Sequence, residues 1–313
     1  MATYFNEYFG VSRDAVDDYG AFNVSIINDL PLFIDPFLLF QSTKPEYKAL
    51  HAEILAYIIF LREQVIAARI NKDLIAAWFC FSEVRQNWLG FSLVGNGGSG
   101  LGLGFARSLS ANLADLFANF GQEQITESSH VEKVCLVQGG VGRDSISDFT
   151  TNLIKHFLCE YTQTFARTHI APEKRKMVWV DKAVFDYQTQ SWQRRCYELP
   201  WLSRDNDFVL LTPKDILTRE ENWINRTDMI RDFESIPTAI PDNELRGQVF
   251  AYFQTELLRG VDKDKEPTQA DRDERLSKRS SSSQTWSTIT FATRKRMATR
   301  LSTSAPNASS KPA

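Results

Sequence analysis

The chain has 313 residues, of which 43% are hydrophobic and 24% charged, the ordinary balance of a globular protein. From Val261 onward there are 11 Lys/Arg and 6 Asp/Glu, so residues 1–260 keep 36 − 11 = 25 basic and 39 − 6 = 33 acidic residues, a net charge of −8. This balance excludes a body that holds nucleic acid by overall charge, since a polyanion would need a local basic surface.

The first half of the chain is predicted to be mostly helical. Residues 31–40 form an apolar run interrupted by Asp35-Pro36, which predicts a short buried strand that ends at Asp35. Pro45 opens a helix, because apolar residues then recur every three or four positions. Residues 73–83 predict a further helix or helix end, and Trp88–Val94 a short strand before a glycine-rich run at 95–104. An amphipathic helix follows that run.

The second half of the chain predicts both strands and helices. Val134–Val137 reads as a short strand, and a long helix begins at Phe149 with Ser147 or Asp148 as its N-cap. Later signals are a β-hairpin, a short strand and three helix starts. The hairpin strands are predicted at Lys176–Tyr187 and Trp192–Leu199, and the short strand at Phe208–Leu211. The three helix starts are predicted at Thr212-Pro213, at Thr218 with Glu221, and at Pro241-Asp242.

We therefore predict one folded α/β (α+β) body over residues 1–260. Its N-terminal half is mostly helical, its middle holds the β-hairpin and short strands, and its end is helical. Residues 275–313 contain eight Lys/Arg, no Asp/Glu and many Ser and Thr. Such a composition cannot bury enough apolar surface to fold, so we predict a disordered basic tail over residues 261–313.

The chain is expected to be cytoplasmic. Its four cysteines lie at least 24 residues apart and form no CxxC pair, which is typical of reduced thiols. The first residues lack the basic and apolar regions of a secretion signal. The apolar stretch Ile54–Leu61 is less than half of the ~20 residues that a membrane span requires, so we expect no membrane partner.

The glycine-rich run is a candidate nucleotide site. Gly95 to Gly100 fits the pattern GxGxxG between a predicted strand and a helix, where the backbone amides at Gly97, Gly98 and Gly100 could cradle a phosphate. No acidic residue ends a second strand about 20 residues later, and no Lys-Ser/Thr follows as in a P-loop. The alternative is a loop whose glycines adopt positive φ.

A group of polar side chains between residues 130 and 148 is the candidate catalytic site. Carboxylate oxygens together with a lysine could hold Mg²⁺ and a phosphodiester. The alternative is structural, with Asp148 as a helix cap and Asp144 in a turn. The candidate catalytic residues are Asp148, Asp144, Glu132 and Lys214, the metal ligands are Asp144 and Asp148, and His130 and Lys133 lie beside them.

A nuclease signature, Asp followed by (Asp/Glu)-x-Lys, occurs once. Glu46-Tyr47-Lys48 lies eleven residues after Asp35. That chemistry requires the motif on a strand, whereas Pro45 predicts a helix here.

Four segments carry a family resemblance. They are Leu32-Phe33-Ile34-Asp35-Pro36, Leu89-Gly90-Phe91-Ser92, Gly140 to Thr150, and Leu210-Leu211-Thr212-Pro213-Lys214. With them the chain resembles, over residues 1–260, an uncharacterised family of bacterial cytoplasmic proteins associated with mobile-element and phage-defence neighbourhoods. The resemblance implies no activity and transfers no catalytic residue.

Two functions are compatible with the sequence. The first is a metal-dependent enzyme that acts on nucleic acid. The second is a non-catalytic binding or regulatory module that works through a protein partner. They differ in one geometric expectation: the enzyme requires Asp148, Asp144 or Glu132, and Lys214 to meet in one cleft.

Overall fold

The computed structural model describes residues 4–89, 101–116 and 143–219 of the chain. The chain divides into two compact units, and all described residues except Asp115 and Leu116 belong to the first. The helices are α1 Phe5–Phe9, α2 Arg13–Asp18, α3 Pro36–Gln41, α4 Pro45–Ile66, α5 Lys72–Phe79, α6 Leu103–Leu116, α7 Arg143–Leu153 and α8 Lys155–His169. The strands are β1 Leu32–Ile34, β2 Arg175–Asp186, β3 Ser191–Leu202, β4 Asp207–Phe208 and β5 Leu217–Arg219.

The predicted mixed α/β class is confirmed, and the sheets of the described residues are antiparallel. β2, β3 and β4 form a three-stranded sheet in that order, and β1 pairs with β5 in a second, two-stranded sheet. The predicted hairpin is β2–β3, and its polar turn lies between Asp186 and Ser191. No helix in the described ranges is long and apolar enough to cross a membrane.

The predicted strand–Asp-Pro–new element pattern is also confirmed. β1 ends at Ile34, and the Asp35 side chain accepts a hydrogen bond from the backbone N–H of Phe37 at 3.0 Å. Pro36 occupies the first helical position of α3, where its fixed φ suits the helix and its missing N–H costs nothing. An Asp cap followed by Pro thus connects a buried strand directly to a helix.

The hairpin contains a bulge that joins it to α5. Val180 pairs with Arg195 and Val184 with Gln193, so β2 holds two residues more than β3 between these pairs. Lys182 lies in the bulge with φ of 49°, in the left-handed region. Its Nζ donates to the carbonyls of Ala77 (3.1 Å) and Cys80 (2.9 Å) at the end of α5. A lysine at this end of a helix also opposes the negative pole of the helix dipole.

Two groups of apolar side chains fill the interior. The first joins the N-terminal helices to α8 and the chain after β3. It contains Phe5, Phe9, Val16, Ala21, Val24, Ile26, Trp88, Phe165, Ala166, Ile170, Leu202, Val209 and Leu211. The second is aromatic and joins α4, α5 and the hairpin through ring contacts among Tyr57, Phe60, Trp78, Phe81, Phe185 and Trp192. Large aromatic rings therefore contribute much of the packing in both apolar groups.

The predicted N-cap at Ser147 or Asp148 is wrong, because α7 begins at Arg143 and both residues lie inside it. The buried face of α7 starts at Ile146, three residues before Phe149, so the amphipathic helix begins about one turn earlier than predicted. The helix also does not continue unbroken. α7 ends at Leu153 and α8 begins at Lys155, with Ile154 at φ −99° and ψ 15° between them.

Three predictions near the end of the described chain need correction. Thr212-Pro213 does not start an α-helix, because Lys214–Ile216 is a single 3-10 turn. Thr218 does not cap a helix, because it lies in β5 opposite Phe33 of β1. The third strand is limited to β4, Asp207–Phe208. For Thr218, pairing with a strand distant in sequence overrides the local capping signal.

The remaining predicted elements lie at least partly outside the described residues. Trp88 follows the 3-10 turn Arg85–Asn87, and Leu89 makes an isolated parallel bridge to Leu30, while the rest of the strand predicted to Val94 is not described. The strand at Val134–Val137, the helix at Pro241, the domain boundary at residue 260 and the tail at 261–313 also fall outside the described ranges.

Candidate functional site

Asp148 lies within a group of four carboxylates. It sits on α7, one turn after Asp144, and the charges of Asp144, Glu83 and Asp29 all act on it. We call these four residues the acidic group. It is formed by α7 and by two segments far away in sequence, so only the fold assembles it.

The acidic group changes the protonation of Asp148. Burial is the largest cause that raises the pKa of its carboxyl, and the carboxylates of Asp144, Glu83 and Asp29 raise the pKa further, to about 8. Buried like charges disfavour ionisation unless a cation lies among them. Burial and these like charges therefore favour the protonated form of Asp148, and a cation at this place would favour the ionised form.

Asn152 anchors α7 beside the acidic group. Its side chain is 1% exposed. The Nδ2 atom donates to the carbonyl of Ser82 at 3.1 Å and to that of Asp148 at 2.9 Å. Because Glu83 follows Ser82 directly in the chain, this amide fixes the segment that carries Glu83 against α7.

The predicted metal ligands Asp144 and Asp148 lie one helical turn apart, as the sequence indicates. Within residues 4–89, 101–116 and 143–219, no three His, Cys, Asp or Glu side chains are arranged to hold a metal ion. The described residues therefore do not by themselves form a complete metal centre, and Mg²⁺ binding stays a prediction.

Lys214 does not join the acidic group. Its Nζ pairs with the carboxylate of Asp17 on α2, and its backbone N–H donates to the carbonyl of Gly20 at 2.9 Å. Lys214 is not among the charges that shift the pKa of Asp148. The convergence that the enzyme hypothesis requires is thus not observed for this residue. Glu132, Gly97, Gly98, Gly100, His130 and Lys133 lie outside the described residues.

The nuclease signature takes up structural positions. Asp35 is 2% exposed and caps α3, while Glu46 and Lys48 are exposed in the first turn of α4. The signature therefore does not lie on a strand, in agreement with the helix that Pro45 predicts.

Sequence reasoning missed an exposed surface on the hairpin. Trp179 is 60% exposed and Met177 58% exposed, although both lie in β2. The guanidinium carbon of Arg194, on β3, lies 4.8 Å from the centre of the Trp179 ring. We call Met177, Trp179 and Arg194 the hairpin surface. Tryptophan in a strand usually indicates burial, and only the alternation of Val178 and Val180 with Met177 and Trp179 signals an outward face.

One family model matches residues 10–225 of the chain, and its description is "Domain of unknown function (DUF8370)". The chain belongs to this family. The match covers α2 to β5 and includes both the acidic group and the hairpin surface. No curated protein and no solved structure matches the chain.

Proposed function

We propose that this chain is a non-catalytic binding module that works through a protein partner, which it contacts with the hairpin surface. The observation that carries the proposal is the exposure of Trp179 and Met177 on a strand held rigidly by the aromatic core. Tryptophan, methionine and arginine are enriched at protein interfaces, and tryptophan and arginine dominate the binding energy there.

The charge around the hairpin surface selects the kind of partner. Strands β2 and β3 carry five Lys/Arg and three Asp/Glu, whereas residues 1–260 as a whole have a net charge of −8. Arg194 is exposed and lies against the Trp179 ring. A partner that offers an apolar pocket for Trp179 beside acidic side chains would match this surface, because opposite charges speed association and reject other partners.

A site-specific crosslinking experiment tests the proposal. A photoreactive amino acid at position 177 of the full chain should capture one partner, which is then purified and titrated. Trp179→Ala and Arg194→Glu should each weaken its binding at least tenfold, as expected for central interface residues. The matched control is Tyr187→Ala, another exposed aromatic residue, at the end of the hairpin, which should bind as the wild type does.

The same variants separate a protein partner from nucleic acid. If Trp179→Ala abolishes binding of single-stranded RNA or DNA, the hairpin surface is a stacking platform and the protein-partner proposal fails. If neither variant weakens binding of the purified partner, the hairpin surface is not its interface.

We also propose a second function, a metal-dependent enzyme that acts on nucleic acid, with Asp144 and Asp148 as metal ligands. The observation that favours it is the raised pKa of Asp148 within the acidic group. Strongly shifted acids cluster at functional sites, and a divalent cation would neutralise their mutual repulsion. Mg²⁺- or Mn²⁺-dependent cleavage of RNA or DNA that Asp148→Asn abolishes would establish it. If that variant cleaves as the wild type does, or neither cleaves, this proposal fails.

A further inference from the structure

A cleft of about 450 Å³ opens between the 3-10 turn Arg85–Asn87 and the turn that links β3 to β4. Its size is within the range of small-molecule sites. Ile26 and Leu202, both from the first apolar core, also line it. The cleft lies wholly within the described residues and contains no member of the acidic group or the hairpin surface.

Two aromatic residues, Trp88 and Phe208, are among those that line the cleft. Trp88 is 7% exposed and its φ is 54°, in the left-handed region. A bulky residue in this conformation is strained and persists only where its surroundings enforce it. Here the Trp88 N–H donates to the carbonyl of Arg85 at 3.1 Å, and its carbonyl accepts from the N–H of Leu30 at 3.2 Å. Such strain at a cleft wall is typical of a functional site.

The polar groups of the cleft are fixed and compensate one another. Arg204 Nε donates to Asp205 at 3.1 Å, and its Nη2 donates to the carbonyl of Ile26. Gln86 Nε2 donates to Asp207 Oδ2 at 2.9 Å, while the N–H of Phe208 donates to Asp207 Oδ1 at 2.8 Å. Two arginines, Arg85 and Arg204, and two aspartates, Asp205 and Asp207, line the cleft, so the lining carries no net formal charge and favours a neutral ligand.

Asp207 retains acceptor capacity for such a ligand. A carboxylate offers about four lone-pair sites, and the contacts above use two of them. Gln86 is held in place because its backbone carbonyl accepts from the N–H of Leu210 at 2.8 Å. A planar ligand that donates N–H groups could therefore bind Asp207 at its edge while its faces contact Trp88 and Phe208.

We propose that this cleft binds a nucleobase that carries an amino group, either in a free nucleoside or at an unstacked position of a nucleic-acid strand. Such a base is neutral and flat, stacks on aromatic rings, and donates to carboxylates through its amino and ring N–H groups. This inference is independent of the hairpin surface, since none of its residues line the cleft.

Calorimetric titration of the full chain tests the proposal. Adenosine, guanosine and cytidine are the ligands, and ribose is the control that lacks a base. At least one nucleoside should bind saturably, and ribose should not bind. Asp207→Asn should weaken that binding about tenfold, because it removes a charged acceptor. Asp14→Asn, an equal change of charge on an exposed residue of α2, should leave binding unchanged.

Further measurements decide the source of the base and guard against a folding defect. A short single-stranded oligonucleotide that displaces the nucleoside shows that a strand can present the base, whereas no displacement identifies a free nucleoside. Phe208→Ala serves as a second variant, and thermal melting checks that both variants fold. The proposal is overturned if no nucleoside binds at millimolar concentration, if ribose binds equally well, or if both folded variants bind with wild-type affinity.

Discussion

The hydroxyl of Tyr57 accepts a hydrogen bond from the indole N–H of Trp192 at 3.0 Å. The same hydroxyl donates to the carbonyl of Trp78 at 2.7 Å. One atom of α4 thus ties the hairpin to α5 inside the aromatic core, and it satisfies two polar groups that the surrounding rings would otherwise leave unpaired.

Tyr57→Phe should destabilise the protein by about 1–3 kcal/mol, because it leaves the Trp192 N–H and the Trp78 carbonyl without this partner. Urea denaturation followed by tryptophan fluorescence measures the change. Tyr187→Phe is the matched control, since Tyr187 is an exposed residue that contacts the same core, and it should change stability little. Equal effects of the two variants would contradict the role assigned to Tyr57.

Ser147→Ala should also cost about 1–3 kcal/mol, for a related reason. Ser147 Oγ accepts a hydrogen bond from the backbone N–H of Ile34 at 2.9 Å, and the contact is buried. Without it, the last N–H of β1 has no such partner. Ser145→Ala, on the same helix but only partly buried, is the control and should melt as the wild type does. An unchanged melting temperature for Ser147→Ala would show that another group, or water, replaces the hydroxyl.

Asp148→Asn should stabilise the protein increasingly as the pH rises from 5 to 8. The pKa of Asp148 is near 3.8 in an unfolded chain and about 8 in the fold, so the folded state binds a proton that the unfolded state releases in this window. Wild-type stability therefore falls as the pH rises, by at most about 1.4 kcal/mol per pH unit and by less for a partly exposed group. Asparagine does not titrate and avoids this loss.

Thermal melting of both proteins at several pH values measures that difference. Asp144→Asn removes the neighbouring carboxylate, so it should lower the pKa of Asp148. The pH range over which wild-type stability falls should then become narrower. A difference between Asp148→Asn and wild type that stays constant with pH would show that Asp148 is ionised throughout.

If a divalent cation binds in the acidic group, it should stabilise the wild type, so that Asp148→Asn is no longer the more stable protein. Mg²⁺ or Mn²⁺ should then raise the melting temperature of the wild type and leave Asp148→Asn unchanged. Lys214→Ala is the control, since its ammonium pairs with Asp17 and should not alter the response to metal. A metal-induced shift that persists in Asp148→Asn would place the binding elsewhere.

Local sequence signals predicted the elements that depend on their own residues. Pro45 marks the start of α4, and Asp35-Pro36 joins β1 to α3. The polar residues 188–191 predict the hairpin turn, which the structure places at residues 187–190. The failures depend on partners distant in sequence. Thr218 belongs to a strand only because β1 offers an edge to pair with, and no local pattern contains that information.

The candidate site was only partly predictable for the same reason. Asp144 and Asp148 share one helix face by their spacing, but Glu83 and Asp29 join them only through the fold. The sequence predicts Lys214 in a first helical turn, where a solvated lysine is expected, yet its ammonium pairs with Asp17, nearly 200 residues earlier in the chain. Net charge and residue type alone cannot reveal such pairings.

The boundary that composition predicts near residue 260 can be tested by truncation. Truncation after residue 265 should leave the melting temperature almost unchanged, because the basic, Ser-rich sequence beyond it contains too little apolar surface to pack. Differential scanning calorimetry of the truncated and full chains measures this. A clear loss of stability would show that the tail packs on the body.

The bulge at Lys182 constrains how the hairpin can change in length during evolution. Its two extra residues are an even number, so side chains keep to the same faces on both sides of the bulge. A relative that lacks both residues could still pack Phe185 against the aromatic core and expose Trp179, at the cost of the link from Lys182 to α5. Loss of a single residue would invert every face beyond it. Hairpins in this family should therefore differ at this position by steps of two.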